Sequence, residues 1–165
     1  MSGTTRGAVA AATQTTSMRR RLLAAGASAP LLLALRPAGA TPPAMAAAIA
    51  DFTGGAKAQA GRVTLEVAQL IDNGNTVPVT IRVDSPMTAG DRVVAIGLFN
   101  ERNPLPDVIR FRLGSRIGKA EVATRIRLAT SQTLVAVAGM SDGSWWQHSA
   151  DVVVTLAACI EGEVS

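Results

Sequence analysis

A chain of 165 residues with 48% apolar residues is long enough for one domain with a real core, and 3% aromatics make that core aliphatic. The formal charge of +4 is local: Arg6, Arg19, Arg20, Arg21 and Arg36 lie in residues 1–40 without an acidic residue, and the remainder carries eleven basic against twelve acidic residues. That remainder has no basic stripe and few aromatics for stacking, which excludes a nucleic-acid binder, and one His with one Cys excludes a zinc or copper centre.

Residues 1–40 read as an export signal. A polar opening, Met1–Met18, leads to Arg19-Arg20-Arg21 and then to an apolar stretch from Leu22 to Leu35, broken by Gly26, Ser28 and Pro30. Fourteen residues are too few to span a bilayer comfortably. Small-residue cleavage sites come next, Ala38-Gly39-Ala40 or Ala44-Met45-Ala46. The pair Arg19-Arg20 with Leu22-Leu23 resembles a twin-arginine signal, which exports proteins already folded. Met18, Leu22 and Ala24 stand where Ser or Thr, Phe and Lys are common in that signal. The expectation is a periplasmic protein with no membrane attachment after signal cleavage.

Residues 41–62 form an Ala-rich N-terminal segment with Pro42, Pro43, Gly54 and Gly55, in which Ala44–Asp51 can make a short helix. From Val63 the pattern changes to strands. Val63–Leu70 is the first, and Asp72-Asn73-Gly74-Asn75 is a turn, because Asn and Gly tolerate positive φ. Val77, Val79, Ile81 and Val83 alternate with Pro78, Thr80 and Arg82, a period of two with one buried face. Pro78 has no N–H for a ladder, which predicts an edge strand or a late start. Ser85–Thr88 bends the chain. Val93–Phe99 is a nearly continuous apolar run, as in an interior strand. Asn100–Pro106 is a loop, and Val108–Leu113 a short strand with Arg110 and Arg112 on one face. Val122–Leu128 alternates again, Leu134–Ala138 is apolar, Ser141-Asp142-Gly143 turns, and Val152, Val154 and Leu156 mark the last strand. The pattern predicts an all-β fold, an immunoglobulin-like antiparallel β-sandwich of about seven strands over residues 63–156. Residues 157–165 complete the chain as a C-terminal arm bearing the cysteine.

Few residues can carry chemistry. There is no Gly-x-Ser-x-Gly nucleophile elbow and no phosphate-binding Gly loop, so no catalytic residue and no cofactor are expected. His148 reads as a surface or rim residue. Of Trp145-Trp146, one indole is expected to cover the end of the core and the other to join an interaction patch. Cys159 is the single cysteine, and in an exported chain it has no intramolecular partner. Six residues from the end it can reach outward into another protein, or it can pack as the last residue of a strand.

Residues from about Val63 to Cys159 resemble SoxY, the sulfur-carrier subunit of the periplasmic thiosulfate-oxidising (Sox) system. The matching stretches are Asn73-Gly74 with Val77-Pro78-Val79, Val83-Asp84-Ser85-Pro86-Met87-Thr88, and Asn103-Pro104 with Pro106. Further on they are Thr124-Arg125-Ile126-Arg127-Leu128-Ala129, Ser141-Asp142-Gly143, and Val154-Thr155-Leu156-Ala157-Ala158-Cys159. The resemblance implies a heterodimer with a second β-sandwich subunit, SoxZ. It implies that Cys159 is the covalent sulfur attachment point, loaded by a c-type haem enzyme and relieved of sulfate by a hydrolase, while the carrier itself catalyses nothing. One departure is plain. The family's arm is Gly-Gly-Cys-Gly-Gly and ends there, whereas here Cys159 is flanked by Ala157-Ala158 and Ile160-Glu161. Glycines make a thin arm that threads narrow pockets, and acidic neighbours disfavour a thiolate. The competing expectation is therefore a divergent, non-carrier β-sandwich binding module that docks a partner protein, with Cys159 as strand packing.

Overall fold

The computed structural model describes residues 41–156, and the export signal with Arg19 and Arg20 and the arm with Cys159 lie outside them. The Ala-rich segment forms helix α1, Pro42–Thr53. Thr41 is its N-cap, extended at φ −133° and ψ 160°, and its hydroxyl oxygen accepts the Ala44 N–H at 3.3 Å. Pro42 and Pro43 occupy the first turn, where no N–H is needed. Gly54, left-handed at φ 65°, ends the helix.

The strands are β1 (Gln59–Ala60), β2 (Val63–Glu66), β3 (Leu70–Ile71), β4 (Val77–Val83), β5 (Val93–Asn100), β6 (Asp107–Arg112), β7 (Glu121–Ile126), β8 (Gln132–Met140) and β9 (Trp145–Val154). Seven of the nine have four residues or more, the number the turn spacing predicts. The main sheet is ordered β1-β9-β8-β5-β6, with β3 also against β9, and the second sheet is β2-β4-β7. Val77, Val79, Ile81 and Val83 of the second sheet meet Ile96, Leu98, Leu134, Ala136 and Ala138 of the main sheet in one aliphatic core. The outer face of the main sheet is covered as well. Phe99, Val135 and Val137 lie under Met45, Ala48, Ile49 and Phe52 of α1. Burial on both faces is why β5 and β8 are continuous apolar runs and β4 alternates.

Three features differ from the sequence expectation. The predicted strand Val63–Leu70 is two strands in different sheets, β2 and β3, with the crossing at Val67–Gln69. The short strands β1 and β3 pair with β9 in parallel, while every other pairing is antiparallel. And β4 is central, despite Pro78. Val83 donates toward the β7 side, to Ala120 O, so alternation aims residue 78 at the β2 side. There β2 has already ended, at the pair Glu66–Thr80, and no donor is required of Pro78.

Gly97 sets the distance between α1 and the sheet. A methyl group at that position would stand 2.8 Å from the Phe99 ring and 2.9 Å from the Phe52 ring. Gly97→Ala is expected to lower stability by about 1–3 kcal/mol in urea unfolding, the usual cost of overpacking. Gly118→Ala, where the added methyl meets nothing within 4 Å, should shift it by less than about 0.5 kcal/mol.

Candidate functional site

Strand β9 delivers the chain to the end of the sandwich from which the Cys159 arm departs, and that exit is held by a run of hydrogen bonds. The Val153 N–H donates to Gln69 O at 2.7 Å, and the Val154 N–H to Ser131 Oγ at 2.9 Å. Past the strand, the Thr155 N–H donates to Ile71 O at 2.9 Å. The Thr155 hydroxyl lies 3.3 Å from Ile71 O and 3.2 Å from Asp72 O. The Leu156 carbonyl accepts the Gly74 N–H at 2.8 Å, and the Gly74 carbonyl accepts the Leu128 N–H at 2.8 Å. Gly74 thus joins the last described residue to the β7–β8 connection by its own backbone. The Asn73 side chain shapes the turn by accepting the Asn75 N–H at 2.9 Å.

A second network stiffens the same end. Asn103 donates through its side chain to Arg127 O at 2.8 Å and accepts from the Ala129 N–H and from Gln132 Nε2, each at 2.9 Å. The side chain of Asn100, fully buried, donates to Leu105 O at 2.8 Å and accepts the Asn103 N–H at 2.8 Å. No buried side-chain N or O atom among the described residues lacks a partner. Asn73-Gly74, Asn103-Pro104, Arg127–Ala129 and Val154–Leu156 are far apart in sequence, yet they meet here.

The two ends of β9 differ in chemistry. Of five large apolar side chains that are exposed among the described residues, four lie at the exit end: Leu70, Leu105, Val153 and Leu156. Leu70 and Val153 are register partners, so they stand side by side on one face. Leu156, predicted to continue the buried face of Val152, is 60% exposed, because the strand stops at Val154 and Thr155 turns to the Ile71–Asp72 backbone. The opposite end is ionic. Arg62 pairs with Asp91, and this hydrogen-bonded carboxylate raises its pKa. Lys119 and Arg82 hold Glu121 below the usual carboxylate range, and the Ser144 hydroxyl and N–H do the same for Asp142.

The remaining candidates are structural. His148 is an exposed rim residue whose Nδ1 accepts the Leu65 N–H at 2.9 Å, tying β9 to β2 across the sandwich. Both indoles are half-buried and make internal contacts. Trp146 packs on the main core and donates to Ser144 Oγ at 3.0 Å; Trp145 meets Phe52 edge-on, with ring centroids 5.3 Å apart. Among the described residues there is no group of three His, Cys, Asp or Glu side chains that could hold a metal ion. The anchoring residues Gly74, Asn103 and Thr155 are the ones sequence reasoning missed. Their signal is the pairs Asn73-Gly74 and Asn103-Pro104, which alone indicate only a turn and a loop.

Comparison with known proteins adds the family. The family described as sulfur oxidation protein SoxY matches residues 49–159. Among solved structures, the sulfur carrier protein SoxY from Chlorobium limicola f thiosulfatophilum is 29% identical, with a TM-score of 0.59, over 69% of this chain and 98% of that chain. A superoxide reductase (neelaredoxin) from Ignicoccus hospitalis is 16% identical, with a TM-score of 0.51, over 71% of this chain and 95% of that chain, and shares the fold alone. No curated protein sequence matches.

Asn103→Ala removes three side-chain hydrogen bonds at once, from partners that are exposed, half-buried or, for Gln132 Nε2, still bonded to Thr130 O, which costs about 1–3 kcal/mol in total. The expected outcome is a loss of that size in denaturant unfolding, with faster hydrogen exchange at the Leu128 and Ala129 amides than at those of β4.

Proposed function

The chain belongs to the SoxY family of sulfur carriers in sulfur oxidation, and on that premise we propose that it works in the periplasm and holds sulfur covalently on Cys159. The observation that carries this reading is the anchored exit. Leu156 is pinned through Gly74, and Cys159 comes three residues later, so chain length limits its Cα to within about 11 Å of a rigid point. The apolar end around that point gives a partner enzyme a surface to cover while it holds the thiol.

The chemistry divides between carrier and partners. A c-type haem enzyme takes two electrons as the Cys159 thiolate and the terminal sulfur of thiosulfate form an S–S bond. A hydrolase then uses water to cut the bond to the sulfonate, releasing sulfate and a proton and leaving a persulfide on Cys159. The chain supplies the sulfur atom and its placement, and no catalytic group. A SoxZ-like β-sandwich subunit is the proposed heterodimer partner. The flanks Ala157-Ala158 and Ile160-Glu161 favour a second reading, a non-carrier binding module, because they make the arm bulkier and more acidic than a glycine arm.

Intact-mass analysis of protein purified from cells oxidising thiosulfate separates the two. The carrier reading predicts S-thiosulfonate or persulfide adducts that are absent in Cys159→Ser, together with slower thiosulfate oxidation in that variant strain. An unmodified thiol and normal oxidation by the variant would leave the binding module as the function.

A further inference from the structure

We propose that the mature protein begins at Thr41, by hydrolysis of the Ala40–Thr41 peptide bond, and that helix α1 protects the competing site after Ala46. This rests on the export reading and is independent of sulfur chemistry. Between residues 38 and 50 four tripeptides satisfy the small-residue rule for a signal peptidase, Ala38-Gly39-Ala40, Ala44-Met45-Ala46, Ala46-Ala47-Ala48 and Ala48-Ile49-Ala50. The fold sets the first apart from the other three, which all lie inside α1. Residues 44–46 lie inside α1, so the Ala46–Ala47 bond is helical, with its N–H and C=O groups engaged in the helix. The first site ends immediately before the N-cap. Thr41, which would donate the new N-terminus, is exposed and extended. Peptidases cut exposed, unpaired backbone, and a helical bond must first be unwound.

The packing of α1 raises the cost of that unwinding. Met45 belongs to the cluster that covers Phe99, Val135 and Val137, alongside Ala48, Ile49 and Phe52. Cleavage after Ala46 would remove Thr41, both helix-starting prolines and Met45, leaving seven helical residues, 47–53, without a cap. Cleavage after Ala40 keeps every one of these groups. It places an ammonium at the positive end of the helix dipole, an exposed position where salt screens the opposition. A twin-arginine substrate arrives folded, so the peptidase at the outer face of the membrane would meet α1 already seated on the sheet. Water attacks the Ala40 carbonyl; the products are the Ala40 carboxylate on the leader and the Thr41 amine on the mature chain.

The test is the N-terminus of the full precursor after export in a bacterial host, read by intact mass and N-terminal sequencing. The expected sequence is Thr41-Pro42-Pro43-Ala44, unchanged in Ala46→Leu. Ala40→Leu should abolish the mature form and leave precursor. A chain starting at Ala47, Ile49 or Asp51, or efficient rerouting to any of those bonds in Ala40→Leu, would overturn the proposal while export stands. Wild-type precursor that is never cut would overturn the export reading itself, and this proposal with it.

Discussion

Strand β9 is bonded along both edges, and the exit of the chain depends on that constraint. On one side it pairs with β8 from Trp145 to Val152. On the other, two-residue strands run parallel to it at each end, β1 beside Trp146 and Gln147, and β3 beside Val153 and Val154. His148 adds a bond to β2 in the opposite sheet. A last strand with one free edge would fray toward its end, as chain ends generally do. Here the last pairing is reinforced by Thr155 and Gly74, whose hydrogen bonds hold residues 155 and 156 against the Ile71–Gly74 backbone.

That arrangement separates two tasks along one strand. The ionic end, with Arg62–Asp91, the Glu121 pairs and the Asp142 turn, holds loops together through exposed charges that salt weakens. The exit end uses backbone and amide hydrogen bonds with an apolar surface, interactions that salt leaves largely alone. A rigid base beside an apolar surface favours association driven by burial. Beyond the thiol the sequence carries two acidic residues, Glu161 and Glu163.

Much of the fold is legible in the residues themselves. The alternation Val77–Val83 gives a strand with one wet face, and the runs at Val93 and Leu134 give strands buried on both sides. What escapes is what depends on neighbours distant in sequence. A period of two shows which face is buried and not which strand lies alongside, so Pro78 points to an edge although β2 merely ends before reaching it. The strands β1 and β3, two residues each, are too short to carry a pattern. The Ala-rich helix is visible, but its seat over Phe99 requires Gly97, whose missing side chain has meaning only beside Phe52. The site is less legible than the fold. A lone terminal cysteine says nothing of sulfur transfer by itself, and the family match supplies that chemistry. The bonds from Gly74 and Asn103 that fix the exit are through-space facts.

The central claim is that a rigid end of the sandwich presents an accessible thiol just beyond Leu156. The most direct measurement is the rate of Cys159 alkylation in the folded protein compared with the urea-unfolded chain, read together with hydrogen exchange at the Gly74 amide. The expected result is a folded rate within about tenfold of the unfolded one while the Gly74 amide stays protected, as a carrier thiol must react without unfolding of the domain that anchors it. A thiol shielded by several orders of magnitude, released only when the whole domain unfolds, would contradict the account.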